Sequence, residues 1–304
     1  MNSNMIRYLT FIVLISLVND LQAQAKKSSD TVTFSIQADY LSNYIYNGRV
    51  DSIKYPYQTT TVSLHLANGI YSNFSASYLL TPGMKGFDFY ELDLGYEYTI
   101  GKKIYGELYG AKYFYSGESN LINGNISSDF GISLNYDFTF FQFNNNLDVF
   151  FTNKSDVQYT PGIEKIIYLG NDKNSNWNVN PFLFCNFSTV NYYESNVIRN
   201  LNRLKRPPGK NGILSQIASK TEVQNKGFKL LSTDFSIPLT YEDTHWLFTL
   251  TPTYSIPFNK IETVTTNTIT SATGTVINKI NSTPYSDLYL NNQFYFQIGV
   301  AYKF

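Results

Sequence analysis

The last twelve residues, Gln293-Phe-Tyr-Phe-Gln-Ile-Gly-Val-Ala-Tyr-Lys-Phe304, are the most informative stretch for the fold. Every second position carries an apolar side chain: Phe294, Phe296, Ile298, Val300, Tyr302 and Phe304. Successive side chains of a β-strand point to opposite faces of a sheet. The segment is therefore predicted to be a strand with one continuously apolar face that runs to the end of the chain.

The same alternation recurs along the chain and indicates about twelve strands, an even number as up-and-down closure of a single-chain barrel needs. We place them near residues 31–43, 57–67, 70–80, 88–99, 103–115, 127–138, 141–151, 158–169, 178–190, 228–240, 246–258 and 288–304. Strands of soluble proteins run to about 5 or 6 residues, whereas strands that cross a membrane need about 9 to 11. The lengths favour an all-β, antiparallel transmembrane barrel over the rival fold, a secreted β-sandwich.

The connections alternate between short and long. Short turns are expected at Asn68-Gly69, Gly101–Lys103, Thr139-Phe140 and Glu242–His245, with a medium connection from Gly170 to Trp177 as the exception. Long loops are expected at 44–56, 81–87, 116–126, 191–227 and 259–287. This asymmetry is typical of outer-membrane barrels, whose short turns face the periplasm.

The N-terminus predicts export. Arg7 precedes the apolar run Tyr8–Val18, and Ala23-Gln24-Ala25 follows as a small-residue cleavage site. These features describe a secretory signal peptide over residues 1–25, which leaves 26–304 as a single barrel domain. The apolar run is shorter than the roughly 20 residues that a membrane-spanning helix needs.

The terminal strand that ends on Phe304 resembles the C-terminal assembly signal of Gram-negative outer-membrane β-barrel proteins. This resemblance implies that the chain resides in the cell outer membrane and that its partners are outer-membrane lipid and the barrel assembly machinery. The opening hairpin, with Asp39, Ser42, Tyr44 and Gly48, is similar to the start of an uncharacterised family of exported bacterial barrels. That second resemblance implies architecture and location, and no activity.

Composition restricts the chemistry. Charged residues make up 15% of the chain and aromatic residues 17%, and 23 acidic residues balance 23 Lys and Arg. No global field therefore points to nucleic acid. Cys185 is the only cysteine, which excludes a disulfide within one chain and cysteine-based metal sites. We find no motif for a cofactor, a metal or a nucleic acid.

Acidic residues gather on the less apolar face of two predicted strands: Glu91, Asp93, Glu97, Asp129 and Asp137. With His65 they are candidates for the lining of a lumen. One interpretation is a narrow pore that favours cations or polar solutes. The other is a filled interior in which hydrogen bonds and cations such as Lys112 satisfy the carboxylates.

Two further groups of residues are candidates for the outer surface. The long fifth loop carries Arg199, Arg203, Lys205, Arg206 and Lys210, which would bind lipopolysaccharide phosphates or anionic solutes unless the loop is simply solvated. Tyrosines near strand ends are expected in the aromatic girdles at the two membrane interfaces: Tyr40, Tyr46, Tyr98, Tyr113, Tyr115, Tyr241 and Tyr302.

Three functions remain open from the sequence. The first is a porin-like or small-solute channel, and the second is a structural or surface-interaction barrel with a filled lumen. The third is a lipid-modifying enzyme with His65 as its base, although no catalytic constellation of nucleophile, base and orienting group is evident.

Overall fold

A computed structural model describes residues 32–50, 54–116, 119, 121, 124–152, 154–172, 175–192, 216–224, 226–271, 274–280 and 291–304. The predicted signal peptide and the basic residues of the fifth loop lie outside these ranges. The strands are β1 (Thr33–Leu41), β2 (Tyr57–His65), β3 (Ile70–Leu79), β4 (Gly86–Ile100), β5 (Ile104–Tyr115), β6 (Ser128–Asp137), β7 (Gln142–Phe151), β8 (Asp156–Glu164), β9 (Ile167–Asp172), β10 (Ser175–Val179), β11 (Phe182–Ser188), β12 (Gln216–Val223), β13 (Lys229–Ser236), β14 (Leu239–Asp243), β15 (Trp246–Pro257), β16 (Thr263–Ser271), β17 (Gly274–Ile280) and β18 (Gln293–Lys303).

Twelve of these strands form a closed antiparallel ring. From β1 to β8 each strand pairs with the next, and the ring continues through β11, β13, β15 and β18 back to β1. The final strand therefore pairs with the first, and Phe304 N–H donates to Phe34 O at 2.9 Å. The predicted twelve-stranded barrel is confirmed, and the rival sandwich of two separate sheets is wrong.

Three strands of the ring continue past a break at the short-turn end. β8 continues as β9, β10 leads into β11, and β13 continues as β14. Pro181 and Pro238 lie at two of the breaks, where their missing N–H interrupts the hydrogen-bond ladder. β9 then pairs with β10, β10 pairs with β14, and β14 pairs with β15. The expected medium-length connection from Gly170 to Trp177 thus consists largely of strand.

The outward face of the ring is apolar and exposed. Phe294 is 66% exposed, Phe130 54% and Leu94 56%, and polar side chains occupy the alternate, inward positions. Because exposed apolar side chains on every strand would be unfavourable in water, this face is suited to lipid. We call the short-turn end periplasmic and the long-loop end extracellular, as in other membrane barrels.

An aromatic belt lines the outward face at the periplasmic end. Ring centroids lie 4.9 Å apart for Trp177 and Tyr241, for Trp246 and Tyr302, and for Tyr302 and Phe304. Phe304 also contacts Phe34 at 5.2 Å, across the seam where the barrel closes. Tyr241 and Tyr302 thus lie where the girdle was expected.

Three of the tyrosines expected in the girdle lie elsewhere. Tyr46 packs against a buried cluster that includes Phe150 and Tyr192, and Tyr113 faces the interior beside Asp129. Tyr115 shares the inward face of Tyr113 and stacks on it, with ring centroids 6.4 Å apart. A tyrosine near a strand end can face either the lipid or the interior. Its position along the strand therefore does not predict which face it lies on.

The two longest connections add a small sheet of their own. β12, from the connection between β11 and β13, pairs with β16, which pairs with β17 in the connection between β15 and β18. Among the described residues, no helix has the length and apolarity required to cross a bilayer.

Candidate pore and its acidic wall

The inward face of β3 to β7 carries the acidic residues in register. Asn73, Asp93, Ala111 and Asp129 form one cross-strand row, and Tyr71, Gly95, Tyr109, Gly131 and Asp148 form the next. Because neighbouring strands lie about 5 Å apart, carboxylates from several strands share one region of the interior.

A cavity of about 330 Å³ lies against this wall. Five carboxylates and three tyrosines line it together with Ala111 and Phe150: Glu91, Asp93, Glu107, Asp129, Asp148, Tyr71, Tyr109 and Tyr113. Three of the predicted lumen residues, Glu91, Asp93 and Asp129, therefore lie together in one cavity.

Glycines allow the tyrosine rings to lie flat on the wall. A Cβ added at Gly95 would lie 2.3 Å from Tyr71 Cζ, and one added at Gly131 would lie 2.3 Å from Tyr109 Cζ. Each ring crosses the glycine strand, and its hydroxyl donates to a carboxylate one strand further on. Tyr71 donates to Glu107 at 2.9 Å, and Tyr109 donates to Asp148.

The other carboxylates also receive neutral donors. Tyr113 donates to Asp129 Oδ2 at 2.8 Å, and Asn73 donates to Asp93 Oδ2 at 2.8 Å. Asp93 Oδ1 is inaccessible to solvent and has no hydrogen-bond partner in the described part of the chain. Neutral donors fix the geometry of a carboxylate and leave its formal charge in place.

Cations do not neutralise this wall within the described ranges, where none of the five carboxylates makes an ion pair with lysine or arginine. Lys112, expected as an interior partner, is instead cross-strand to Leu92 on the outward face. That part of the expectation is wrong. Lys303 does face inward, and it pairs with Glu242 at the periplasmic end.

His65 and Glu97 lie beside the cavity. His65 stacks on Tyr71, with centroids 5.3 Å apart, and its Nδ1 is 3.9 Å from Glu97 Oε1. Glu97 is directly opposite Glu107 in the β4–β5 register. Like charges opposite each other destabilise a sheet, so this pair adds negative potential at a cost in stability.

The last predicted acidic residue has a different role. Asp137 shares the inward parity of Asp129, but it lies at the end of β6, where its Oδ1 accepts the N–H of Thr139 at 2.7 Å. Thr139 has a positive φ of 76°. Asp137 therefore fixes the turn before β7 and does not line the cavity.

The opposite side of the ring continues the polar lining. Asp39 accepts hydrogen bonds from Gln37 and from Gln297, and Asp234 accepts them from Asn186 and Ser255. A closed antiparallel ring with an apolar exterior and a polar, largely acidic interior is the architecture of membrane-spanning β-barrels. The chain folds as an outer-membrane β-barrel.

Comparison with known proteins gives no close relative. No family model matches the sequence, and no curated protein matches it. Among solved structures, the barrel is similar to the KdgM porin, with 10% identity, coverage of 90% of this chain and 99% of that chain, and a TM-score of 0.43. LpxR from Salmonella typhimurium has 10% identity, coverage of 89% of this chain and 99% of that chain, and a TM-score of 0.42. An outer membrane channel from Pseudomonas putida has 8% identity, coverage of 92% of this chain and 97% of that chain, and a TM-score of 0.31. Values this low carry no information about function.

Sequence reasoning missed Glu107, Asp148 and the three cavity tyrosines. β5 places tyrosines inward and Gly106 and Gly110 outward, which reverses the usual polarity of the two faces. The alternation of Tyr105, Glu107 and Tyr109 could have indicated this arrangement, because residues two positions apart in a strand share one face and the glutamate belongs on the polar, inward face. Among the described residues, no three His, Cys, Asp or Glu side chains are arranged to hold a metal ion.

Proposed function

We propose that the barrel is a porin-like channel that passes small polar solutes and prefers cations. The observation that carries this proposal is the cavity wall, where five carboxylates face the interior and none pairs with a lysine or arginine within the described ranges. Rings of acidic side chains favour cations in membrane pores.

The size of the barrel supports the same function. Barrels of about eight strands are filled by their own side chains, whereas those of about 16 leave an aqueous channel. Twelve strands lie between these limits, and the interior retains a cavity of about 330 Å³. Surrounding lipid and protein have a low dielectric constant, so uncompensated carboxylates act on a passing ion more strongly than they would in bulk water.

The proposal includes a route to the membrane. Residues 1–25 would direct export as a signal peptide, and the barrel would then be inserted into the outer membrane of a Gram-negative cell by the assembly machinery. The terminal strand on Phe304 supports recognition by that machinery, and the apolar exterior supports residence in outer-membrane lipid.

Charge selectivity gives the test. The triple variant Glu91→Gln, Asp93→Asn and Asp129→Asn replaces three ionisable carboxyl groups by neutral amides with little change in side-chain volume. In planar bilayers with a KCl gradient, the wild-type reversal potential should indicate cation preference, and the triple variant should shift it toward zero. Asp243→Asn removes a charge at an exposed turn and should leave selectivity unchanged. A reversal potential that is the same in all three proteins would contradict the proposed role of the wall.

A second candidate function is a structural or surface-interaction barrel with a filled lumen. Packing at the extracellular end favours it, since Tyr55, Tyr57, Leu79 and Leu121 form one buried cluster and Leu231, Val190 and Tyr192 belong to another. A folded, heat-modifiable barrel that gives no conductance steps in bilayers would support this candidate and overturn the channel.

The proposal assigns no catalytic role to His65. His65 contacts Tyr71 and Glu97, and within the described residues it makes no hydrogen bond to a serine hydroxyl that could act as a nucleophile. A Ser-His hydrolase needs such a contact.

A further inference from the structure

The connection between β1 and β2 folds into the barrel and ends in a tight hairpin. Tyr46 and Arg49 exchange both backbone hydrogen bonds at 3.0 Å. Asn47 and Gly48 between them have φ values of 50° and 73°. An Asn-Gly pair with positive φ at both central positions is the usual type I′ turn of two-residue hairpins. We call residues 46–49 the hairpin tip.

Arg49 fixes the hairpin tip to the barrel wall. Its side chain is buried, with 4% exposed. One guanidinium nitrogen donates to Asn47 O at 2.7 Å and to Leu231 O at 3.3 Å, and the other donates to Phe258 O at 3.0 Å and to Asn259 O at 2.8 Å. Arginine can satisfy several acceptors at once because its donors are held in a rigid plane.

The hairpin tip contacts the barrel wall at three strands of the ring, β8, β13 and β15. Asn47 donates to Gln158 Oε1 of β8 at 3.0 Å. A Cβ at Gly48 would lie 2.7 Å from Ser232 Cβ of β13 and 3.2 Å from Pro257 Cβ of β15. In the ring of twelve, β8 lies six positions from β2, on the opposite side, whereas β15 and β13 lie two and three positions from β1. The hairpin tip therefore extends over the interior from the wall near its origin to the opposite strand.

The residues that resemble the uncharacterised family direct this path. Ser42 N–H donates to Phe296 O, and Ser42 Oγ accepts the N–H of Phe296, both at 2.9 Å. Tyr44 then packs edge-on against Tyr57, with centroids 5.9 Å apart. Gly48 supplies the backbone conformation and the close approach at the wall. These positions fix the loop inside the barrel.

The hairpin tip also adjoins the acidic cavity. Tyr46 contacts Phe150, which lines that cavity, with ring centroids 6.5 Å apart. Tyr46 also packs edge-on against Tyr192, with ring centroids 5.1 Å apart. The hairpin tip therefore lies next to the acidic cavity.

We propose that the hairpin tip is a fixed constriction, held in place by Arg49, that sets the size limit of the pore. The inference rests on the proposed channel function and specifies which residues determine its selectivity by size. The acidic wall selects by charge, and the tip selects by cross-section.

Two variants separate displacement of the tip from loss of its charge. Arg49→Ala removes the donors that hold the tip. Gly48→Val keeps the charge, but its side chain cannot fit against Ser232 and its backbone disfavours the positive φ. Lys54→Ala is the matched control, because Lys54 is an exposed cation of the same connection.

The experiment measures liposome swelling with uncharged sugars and polyethylene glycols of graded size. Heat-modifiable migration on gels first establishes that each variant is folded. Arg49→Ala and Gly48→Val should both admit larger neutral solutes than wild type, with swelling rates severalfold higher for solutes near the wild-type limit, and Lys54→Ala should behave as wild type. Because these solutes are uncharged, the loss of the Arg49 charge cannot by itself explain a change in swelling rate.

Failure of the constriction and failure of the channel give different results. If the folded Arg49→Ala and Gly48→Val barrels keep the wild-type size limit, the proposed constriction is wrong and the proposed channel function is unaffected. A wild type that admits no solute, with variants that do, would overturn the open channel and support the tip as its block. No permeation through any folded variant would overturn both proposals. If Arg49→Ala does not fold, Gly48→Val alone decides the outcome.

Discussion

Tyr71 and Gly95 show how single residues shape the interior. The ring of Tyr71 lies against the backbone of Gly95, and this position brings its hydroxyl to Glu107. Gly95→Ala would place a Cβ 2.3 Å from Tyr71 Cζ. We expect the variant to lower the free energy of unfolding by about 1–3 kcal/mol, the usual cost of overpacking. Urea titration of the refolded barrel measures this change.

The same strand supplies a control for that prediction. Gly86 also lies in β4, and a Cβ added there would meet nothing within 4 Å. Gly86→Ala should therefore leave the stability close to that of wild type. Equal effects of the two substitutions would mean that the tyrosine ring does not depend on the glycine.

At the scale of elements, the turn between β14 and β15 is fixed by one carboxylate outside the bilayer. Asp243 Oδ1 accepts the N–H of Trp246 at 2.7 Å and of His245 at 2.8 Å. These backbone hydrogen bonds hold the pKa of Asp243 below its usual range. A depressed folded-state pKa stabilises the fold above the unfolded-state pKa, and this contribution is lost as the pH falls through the folded value.

The prediction for this turn is a pH-dependent difference between two proteins. Asp243→Asn keeps an acceptor oxygen for both N–H groups and removes the titration. The stability advantage of wild type over Asp243→Asn should be present at neutral pH and should shrink as the pH falls through the acidic range. Urea unfolding at a series of pH values measures it. A difference that stays constant over that range would rule out the linkage.

Elements with clean alternation could be predicted from the sequence, and the others could not. β18, β15 and β4 place their large apolar side chains on the lipid side, so their faces follow from period alone. β7 contains Asn144, Asn145 and Asn146, of which Asn145 points outward and accepts a hydrogen bond from Tyr159. Identical residue types on both faces leave no periodic signal, so Asp148 in that strand could not be assigned to the lumen.

The inward path of the first connection was also beyond local sequence reasoning. Its length predicts a loop, and the Asn47-Gly48 pair predicts a tight turn at the tip. Contact with Ser232 and Leu231 joins residues about 180 positions apart in the chain, as the Arg49–Leu231 separation of 182 shows. Such contacts depend on closure of the whole ring, which no local pattern encodes.

For the whole molecule, Phe304 has a structural role at the seam of the barrel and a proposed role in assembly, and experiment can separate the two. The ring of Phe304 contacts Phe34 across the seam between β18 and β1 and also packs on Tyr302 of its own strand, so it contributes to closure of the folded barrel. Each aromatic pair contributes about 0.5–1.5 kcal/mol beyond its buried area, so Phe304→Ala should lower the stability of a refolded barrel by about 1–3 kcal/mol. If Phe304 is also an assembly signal, its loss should reduce barrel formation in cells more than this stability change explains.

The comparison of two variants in two settings tests that prediction. Phe294→Ala removes the same side chain from the same outward face at the other end of β18, where Phe294 is 66% exposed. The heat-modifiable fraction is measured after refolding from urea and again in outer membranes isolated from cells. Phe304→Ala should refold in vitro nearly as completely as Phe294→Ala and accumulate far less in membranes. Equal accumulation of the two variants in cells would show that Phe304 acts only through the contacts that close the barrel.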